Sequence, residues 1–453
     1  MSQRNTSRRE FIKTTALAFP LIAAGCHSLS TGSATDPNRF VAVRNGRFDL
    51  RGSPYFYIGT NLWYGCYLSD PALPGGRRRL VRELDRLQSI GVTNIRLLAG
   101  SETSPLAGAI PCGITRTPHD WDEDLLRGLD FCLAEMAKRN MRAILFVSNY
   151  WQWSGGFAQY VRWITGETIP DPDRPEMARG DWHAFMQFSA RFYTVPAANE
   201  LYRSYISHLI RRCNTVNGRL YRDAPAIMTW ELANEPRPGP DDADDASVQV
   251  FAQWVDETAR FIHVQDPNHL VCTGSEGIWG CLQKPGVFVK AHQSPAIDYV
   301  TVHMWLKNWS WLKDPQLGPD YEKAAERARD HVEKHTVLAT DTLHKPLVLE
   351  EFGLPRDHEN NSPDSPVTAR DDYFNRMFNQ VVESCRMDRA LQGANFWTWG
   401  GEGRAGAGKP DSATALTGDP FCEPQGLNSI FDTDKSTLAV IADANKKLAA
   451  ITG

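Results

Sequence analysis

Two glutamates carry the most chemistry in this chain of 453 residues: Glu235, in Trp230-Glu231-Leu232-Ala233-Asn234-Glu235-Pro236-Arg237, and Glu351, in Glu350-Glu351-Phe352-Gly353. Each follows a short apolar run, residues 226–230 and 347–349, that reads as a buried strand. Pro236 stops the first run, because it cannot donate a ladder hydrogen bond. A carboxylate just past the C-terminal end of a buried strand is where parallel α/β folds place their chemistry. Two carboxylates facing each other across one mouth suit cleavage of a glycosidic bond. One, held protonated, donates to the leaving oxygen, while the other, ionised, attacks or activates water. Side chains alternate along a strand, so only one of Glu350 and Glu351 can point into such a mouth.

The elements that must position this pair can be read from hydropathy. Strand-like runs at 55–60, 93–98, 142–147, 226–232, 270–273, 297–302, 347–349 and 394–397 alternate with helical stretches. The helices fall at 77–90, 121–139, 201–216, 248–263, 321–335, 371–387 and 438–451. The stretch 283–293 shows little amphipathic pattern, so the fifth helix is the weak point. Eight such units without a linker or composition break predict a single (β/α)8 TIM barrel with extended loops at its C-terminal face. Residues 150–196 are too long for an ordinary loop and are expected to wall one end of a cleft. The strand ends bring Arg96, Asn234, Glu235, His303, Glu351 and several tryptophans to one rim.

Fourteen tryptophans is a high number, and several lie beside Gly, Ser or Asn in loops. Aromatic faces at a polar mouth suit the apolar faces of pyranose rings. Trp63, Trp151, Trp309 and Trp397 are the candidate stacking residues. A net charge of −5 gives no basis for nucleic-acid binding. No phosphate-cradling loop and no catalytic Ser/His arrangement stands out, and neither a cofactor nor a metal is expected. His331 and His335 have the spacing of a zinc pair but match neither zinc-protease motif, so a solvated helix face is expected there.

The N-terminus reads as an address. Arg8-Arg9 precedes an apolar segment at 14–24 and resembles a twin-arginine export signal, too short to span a bilayer. Leu21-Ile22-Ala23-Ala24-Gly25-Cys26 resembles a lipoprotein cleavage box with Cys26 as the acylated residue, although simple cleavage would give a soluble product. The expected organisation is a signal over 1–25, a tether over 26–38 and a catalytic domain over 39–453. The expected location is periplasmic, or on the outer membrane as a lipoprotein, with cell-surface or secreted forms as alternatives. Membrane contact is expected only through the lipid anchor, and the protein is expected to be a monomer. The remaining eight cysteines lack regular spacing and read as mostly buried core residues.

Glu235 on the fourth strand and Glu351 on the seventh make a resemblance visible. With Arg96, Gly274-Ser275-Glu276-Gly277, His303-Met304-Trp305, Phe396-Trp397-Thr398-Trp399-Gly400 and Gly418-Asp419-Pro420, the chain resembles the retaining glycoside hydrolases of family 5, and within them the β-mannanase/β-mannosidase branch. That resemblance implies that Glu235 is the general acid/base and Glu351 the nucleophile. It implies that Arg96 keeps Glu351 ionised, that burial keeps Glu235 protonated, that Asn234 meets the sugar 2-hydroxyl and that His303 orients Glu235. Trp397 would floor the sugar and Arg237 would meet the leaving-group side. Trp305 stands where many members carry a tyrosine bonded to the nucleophile. The implied reaction is cleavage of β-1,4-mannosidic bonds in mannan, glucomannan, galactomannan or manno-oligosaccharides, with the mannan endo-1,4-β-mannosidase activity first. An exo-acting β-mannosidase, a cellulase or β-glucanase of the same family, and a non-catalytic carbohydrate-binding lipoprotein are the alternatives.

Overall fold

The computed structural model describes residues 39–174, 181–404, 406 and 412–452. The expected export signal and the whole of the expected tether lie outside the described residues. Eight parallel strands form one sheet: β1 (Tyr57–Asn61), β2 (Asn94–Leu98), β3 (Arg142–Phe146), β4 (Ile227–Glu231), β5 (Leu270–Cys272), β6 (Val300–Met304), β7 (Leu347–Phe352) and β8 (Leu391–Phe396). Their order, β5-β4-β3-β2-β1-β8-β7-β6, is that of a barrel opened at the β5/β6 seam. Asp298 closes that seam: its amide donates to the Val271 carbonyl at 2.9 Å, and its carboxylate accepts the Val271 amide at 2.7 Å.

Every residue of these eight strands is buried, as expected of strands covered by side chains inside and helices outside. The covering helices are α1 (Gly76–Ser89), α2 (Glu123–Lys138), α3 (Pro196–Arg211), α4 (Asp245–Gln265), α5 (Pro285–His292), α6 (Pro319–Val337), α7 (Thr368–Arg386) and α8 (Lys435–Thr452). The fifth helix, weakest in the sequence, is α5. It is only 8 residues long and starts on a proline whose fixed φ suits a first turn. Residues 241–245, Asp-Asp-Ala-Asp-Asp, lead into α4, and the Asp244 carboxylate caps it by accepting the Ser247 amide at 2.8 Å. Asp434 likewise ends a turn before α8, binding the Phe431 amide at 2.9 Å and the Arg356 guanidinium at 2.7 Å.

A three-stranded antiparallel sheet (Val41–Arg44, Arg47–Leu50, Ser53–Pro54) plugs the N-terminal end of the barrel, where Val41 and Phe48 join Tyr57, Met228 and Tyr299 in a small core. The opposite face carries the long loops. The 150–196 insertion folds into two helices, Gly156–Thr165 and Trp182–Ala190, held by aromatic packing such as Phe157 on Phe192 at 4.2 Å and 3°. Among the described residues no helix is long and apolar enough to cross a membrane.

One expectation fails on α6. His335 is fully buried rather than solvated, and its Nε2 accepts the Ile278 amide at 2.8 Å while Nδ1 donates to the His331 carbonyl at 2.8 Å. Both ring nitrogens are already occupied, so no zinc pair exists there. The helix is charged outward but turns this histidine toward the loop after β5.

Candidate active site

The site is built around Arg96, which enters from β2 and is completely buried. A buried guanidinium must have its donors satisfied. Here Nε and Nη2 bind the Glu231 carboxylate at 2.9 and 2.6 Å, Nη2 also reaches Asn234 Oδ1 at 2.8 Å, and Nη1 reaches Asn61 Oδ1 at 3.1 Å and the Glu351 carboxylate. Phe146 on β3 packs its ring 4.5 Å from the guanidinium. Arg96 therefore ties β1, β2, β4 and β7 to one point at the C-terminal face.

Glu235 sits just past β4 with φ = +51°, a left-handed backbone that non-glycine residues rarely adopt and that costs ~1–3 kcal/mol. The conformation is held from both sides. The Glu235 amide donates to the Gly274 carbonyl at 2.8 Å, and a β-carbon on Gly274 would collide with the Ala233 carbonyl and the Glu231 carboxylate. The strained turn aims the Glu235 side chain into the mouth. There Oε1 meets His303 Nδ1 at 2.6 Å and Oε2 accepts the Trp151 indole N–H at 2.5 Å.

Glu351, at the end of β7, lies across from it. An oxygen of Glu351, an oxygen of Glu235 and His303 Nδ1 all fall within 4.8 Å of one another. Retaining glycosidases separate their carboxyl groups by about 5–5.5 Å, inverting ones by about 6.5–9.5 Å to admit a water. The nearest oxygens of Glu235 and Glu351 lie within 4.8 Å, the close approach expected of the retaining arrangement. Glu350 points the other way along the strand, under the floor, where its carboxylate faces His303 Nε2 at 3.5 Å and Arg96 Nε at 3.7 Å.

The charges of this cluster do not balance. Glu231, Glu235, Glu276, Glu350 and Glu351 are all buried, against the cations Arg96, Arg237 and His303. Five carboxylates against three cations must retain protons at neutral pH, since unpaired buried charge is expensive. Burial opposes a charge on His303, but Glu351, Glu235 and Glu350 overcome it and raise the imidazole to about 10. Burial raises Glu235 too, but the His303 imidazolium, Arg237 and the Trp151 indole more than offset this and leave it below the usual glutamate range. Burial pushes Glu351 up to about 7 against His303 and Arg96, with Glu235 adding to the rise. Glu231 rises to about 8 by burial, against Arg96. These surroundings favour the proton on Glu351 over Glu235, the opposite of the expected order. The physical reason is that His303 Nδ1 lies at 2.6 Å from Glu235 and at 3.4 Å from Glu351.

A family model described as GH family 5 beta-mannosidase-like matches residues 38–453. The chain belongs to that family. It is 35% identical to a glycoside hydrolase family 5 mannosidase from Rhizomucor miehei, whose crystal structure superposes with a TM-score of 0.83 over 92% of this chain and 99% of that one. A variant of the same Rhizomucor miehei enzyme was solved in complex with mannosyl-fructose, and matches at 34% identity and a TM-score of 0.83 over 92% of this chain and 99% of that one. Mannan endo-1,4-beta-mannosidase 7 of Arabidopsis thaliana is 28% identical over 449 residues, 96% of this chain and 91% of that protein.

Within this family 5 barrel the sequence-derived residues separate into three groups. Arg96, Asn234, Glu235, His303 and Glu351 converge as described. Trp305 and Trp397 are edge-on neighbours at 6.0 Å and 83°, with Trp397 itself 3% exposed and also packed on Trp153 at 6.5 Å. Arg237 is buried beside it, ion-paired with Glu276 and 5.0 Å from the Trp151 ring.

The other tryptophans need correction. Trp63 is 1% exposed and packs among Tyr64, Tyr67, Trp153 and Phe421, with its indole N–H donated to the Gly418 carbonyl; no face is left for a sugar. Trp309 stacks on Trp279 at 4.2 Å and 13°, in a group with Trp311 on the outer side of the β6 loop. Trp151 is a hydrogen-bond donor to Glu235, with Tyr150 and Trp182 edge-on to its ring at 5.2 and 5.8 Å and Phe185 stacked at 6.4 Å.

Glu231 and Glu276 were missed as site residues. A carboxylate inside an otherwise apolar strand is almost never buried unless paired, so Glu231, four residues before Glu235, carried a readable signal. Glu276 carried a weaker one, as a charge closing the Gly-Ser-Glu-Gly turn after β5. The resemblance includes that turn but assigns Glu276 no role.

Proposed function

We propose that the protein hydrolyses β-1,4-mannosidic bonds with retention of configuration, with Glu351 as nucleophile and Glu235 as general acid/base. The observation that carries this reading is the close approach of the two carboxyls with His303 between them. The pair shares one proton below about pH 7, since Glu351 holds it to that point. When a sugar oxygen reaches Glu235, the proton must reside there, leaving Glu351 ionised against Arg96. Glu351 then attacks the anomeric carbon as Glu235 protonates the leaving oxygen. Esterification removes the charge on Glu351, and Glu235, now ionised and held by His303 and Trp151, takes a proton from the water that releases the sugar. Trp397 serves as the floor under the sugar and Trp305 as its wall, while Arg237 faces the leaving group.

The substrate reading is β-mannan or manno-oligosaccharide, in line with the activities carried in the relatives' names. Cleavage within chains is the first mode. One observation favours release from chain ends instead. The loops after β2, β3 and β8 close on one another at one side of the mouth. Gln152 binds Asp173 at 2.7 Å, a β-carbon on Gly108 would meet both Asp173 and Cys422, and the nearby Glu423 carboxyl is raised to about 8 by burial, by Asp419 and by the catalytic pair. Product analysis on mannohexaose separates the two: mixed oligomers mean internal cleavage, and mannose alone means release from the ends. Release of sugar from cellulose and none from mannan would overturn the substrate assignment. For localisation we propose export by the N-terminal signal, with or without lipid attachment at Cys26; metabolic labelling with palmitate tests the attachment.

A further inference from the structure

A cavity of about 620 Å3 opens on the outer wall of the barrel, between the start of α5, the loops after β5 and β6, and the exposed face of α6. None of the catalytic residues lines it. Its walls are Trp279 and Trp311 on the loop side, and His331, Arg327, Glu326 and Lys323 on the α6 side. The aromatic wall is rigid: Trp279 is stacked on Trp309 at 4.2 Å, Trp311 meets Trp309 edge-on at 5.0 Å, and the Arg327 guanidinium lies 4.1 Å over Trp311.

Two buried polar atoms in this wall, Trp311 Nε1 and His331 Nε2, have no hydrogen-bond partner among the described residues. Buried polar groups are nearly always satisfied, and exceptions need an explanation. Burial, His335, Lys334 and Arg327 hold the His331 imidazole far below the usual histidine range, so it stays neutral and can accept or donate. The α6 side chains alternate in sign along the helix, which favours neither an anion nor a cation. The volume lies within the ~300–1,000 Å3 of small-ligand sites. A ligand that fits must be neutral, rich in hydroxyls that both donate and accept, and apolar on one face. A hexose unit has all of these properties.

We propose that this cavity is a second, non-catalytic carbohydrate-binding site that holds a hexosyl unit of mannan outside the catalytic mouth. The proposal rests on the mannan-cleaving reading given above. The site would keep the enzyme on polysaccharide between turnovers and be idle on substrates that fill only the mouth.

The test uses the full chain in native gels containing galactomannan, with dextran gels as control, and mannotriose hydrolysis measured in parallel. Two variants are compared with wild type. Glu326→Trp, at an exposed helix position, fills the cavity, and Trp311→Phe keeps a ring but removes the N–H. Expected is a galactomannan-specific retardation that Glu326→Trp abolishes and Trp311→Phe weakens roughly two- to tenfold, the worth of one hydrogen bond. Mannotriose hydrolysis stays within about twofold of wild type, a change worth well under 1 kcal/mol of barrier. Equal retardation in wild type and both variants overturns the proposal. So does a fall in mannotriose hydrolysis that matches the loss of retardation, because the cavity would then be part of the catalytic mouth. A wild type that is retarded through this cavity but hydrolyses no mannoside would overturn the activity and leave the second site standing.

Discussion

Replacing Trp151 by phenylalanine isolates one term of the acid/base machinery. The indole donates to Glu235 Oε2 at 2.5 Å, while the ring lies beside Phe185 at 6.4 Å and under Arg237 at 5.0 Å. Phenylalanine keeps an aromatic ring among those neighbours, smaller than the indole, and loses the donor. A hydrogen bond to a charged group is worth about 1.5–3 kcal/mol. It favours the ionised form of Glu235, so its loss raises Glu235 toward the usual glutamate range. The same bond stabilises the carboxylate that forms as Glu235 gives up its proton. For mannotriose, whose leaving group needs that proton, kcat/KM should fall about 10–100-fold. For 2,4-dinitrophenyl β-mannoside, whose leaving group departs unaided, kcat/KM should stay within about threefold, because the acid is not needed in that step. Equal losses on both substrates would mean that the ring packs the site rather than tuning Glu235. No loss on either would remove Trp151 from the acid/base machinery altogether.

The pH dependence of kcat/KM on mannotriose should fall above about 7, where Glu351 releases the proton that the pair shares and neither carboxyl can protonate a leaving oxygen. A plateau extending past pH 8.5 would contradict that reading. Thermal stability should decline as pH rises toward 8: burial raises Glu102 to about 8, so the folded state binds its proton more tightly than the unfolded one. The stability from that proton is complete below the unfolded value near 4.5 and is lost as pH rises through about 8. Glu102→Gln should flatten the decline in melting temperature across that window, and an unchanged slope would contradict it. Trp63→Ala should cost about 3–5 kcal/mol of stability by leaving a large void in the core. Denaturant unfolding measures this, and a large rise in KM with unchanged stability would restore Trp63 as a sugar contact.

The barrel was legible because its strands are buried on both faces and so read as continuous apolar runs, with charge and aromatic residues at their C-terminal ends. The two glutamates were legible for the same reason: each ends such a run. The α5 helix was not, because 8 residues starting on Pro285 are too few to show a period. Trp63 and Trp397 look alike in sequence, each beside polar residues after a strand. Both are buried in the structure, at 1% and 3% exposure, and the residues that cover Trp63, Tyr67, Trp153 and Phe421, come from three separate segments that its own neighbourhood in the sequence does not reveal. The proton order in the site was equally hidden. It depends on His303, from β6, lying closer to Glu235 than to Glu351, and sequence carries no information on an offset of under 1 Å between two strands. Glu231 was within reach of sequence reasoning, because a carboxylate at the end of a buried strand demands a cation, and Arg96 on the second strand is one.

The central claim is that Glu351 becomes covalently bonded to the sugar. Incubation with 2-deoxy-2-fluoro-β-mannosyl fluoride, which slows release of the intermediate more than its formation, followed by proteolysis and tandem mass spectrometry, reads this directly. One label per chain on Glu351, absent in Glu351→Ala, is the expected result. A label on Glu350, Glu231 or Glu235, or steady turnover with no labelled glutamate, would contradict it.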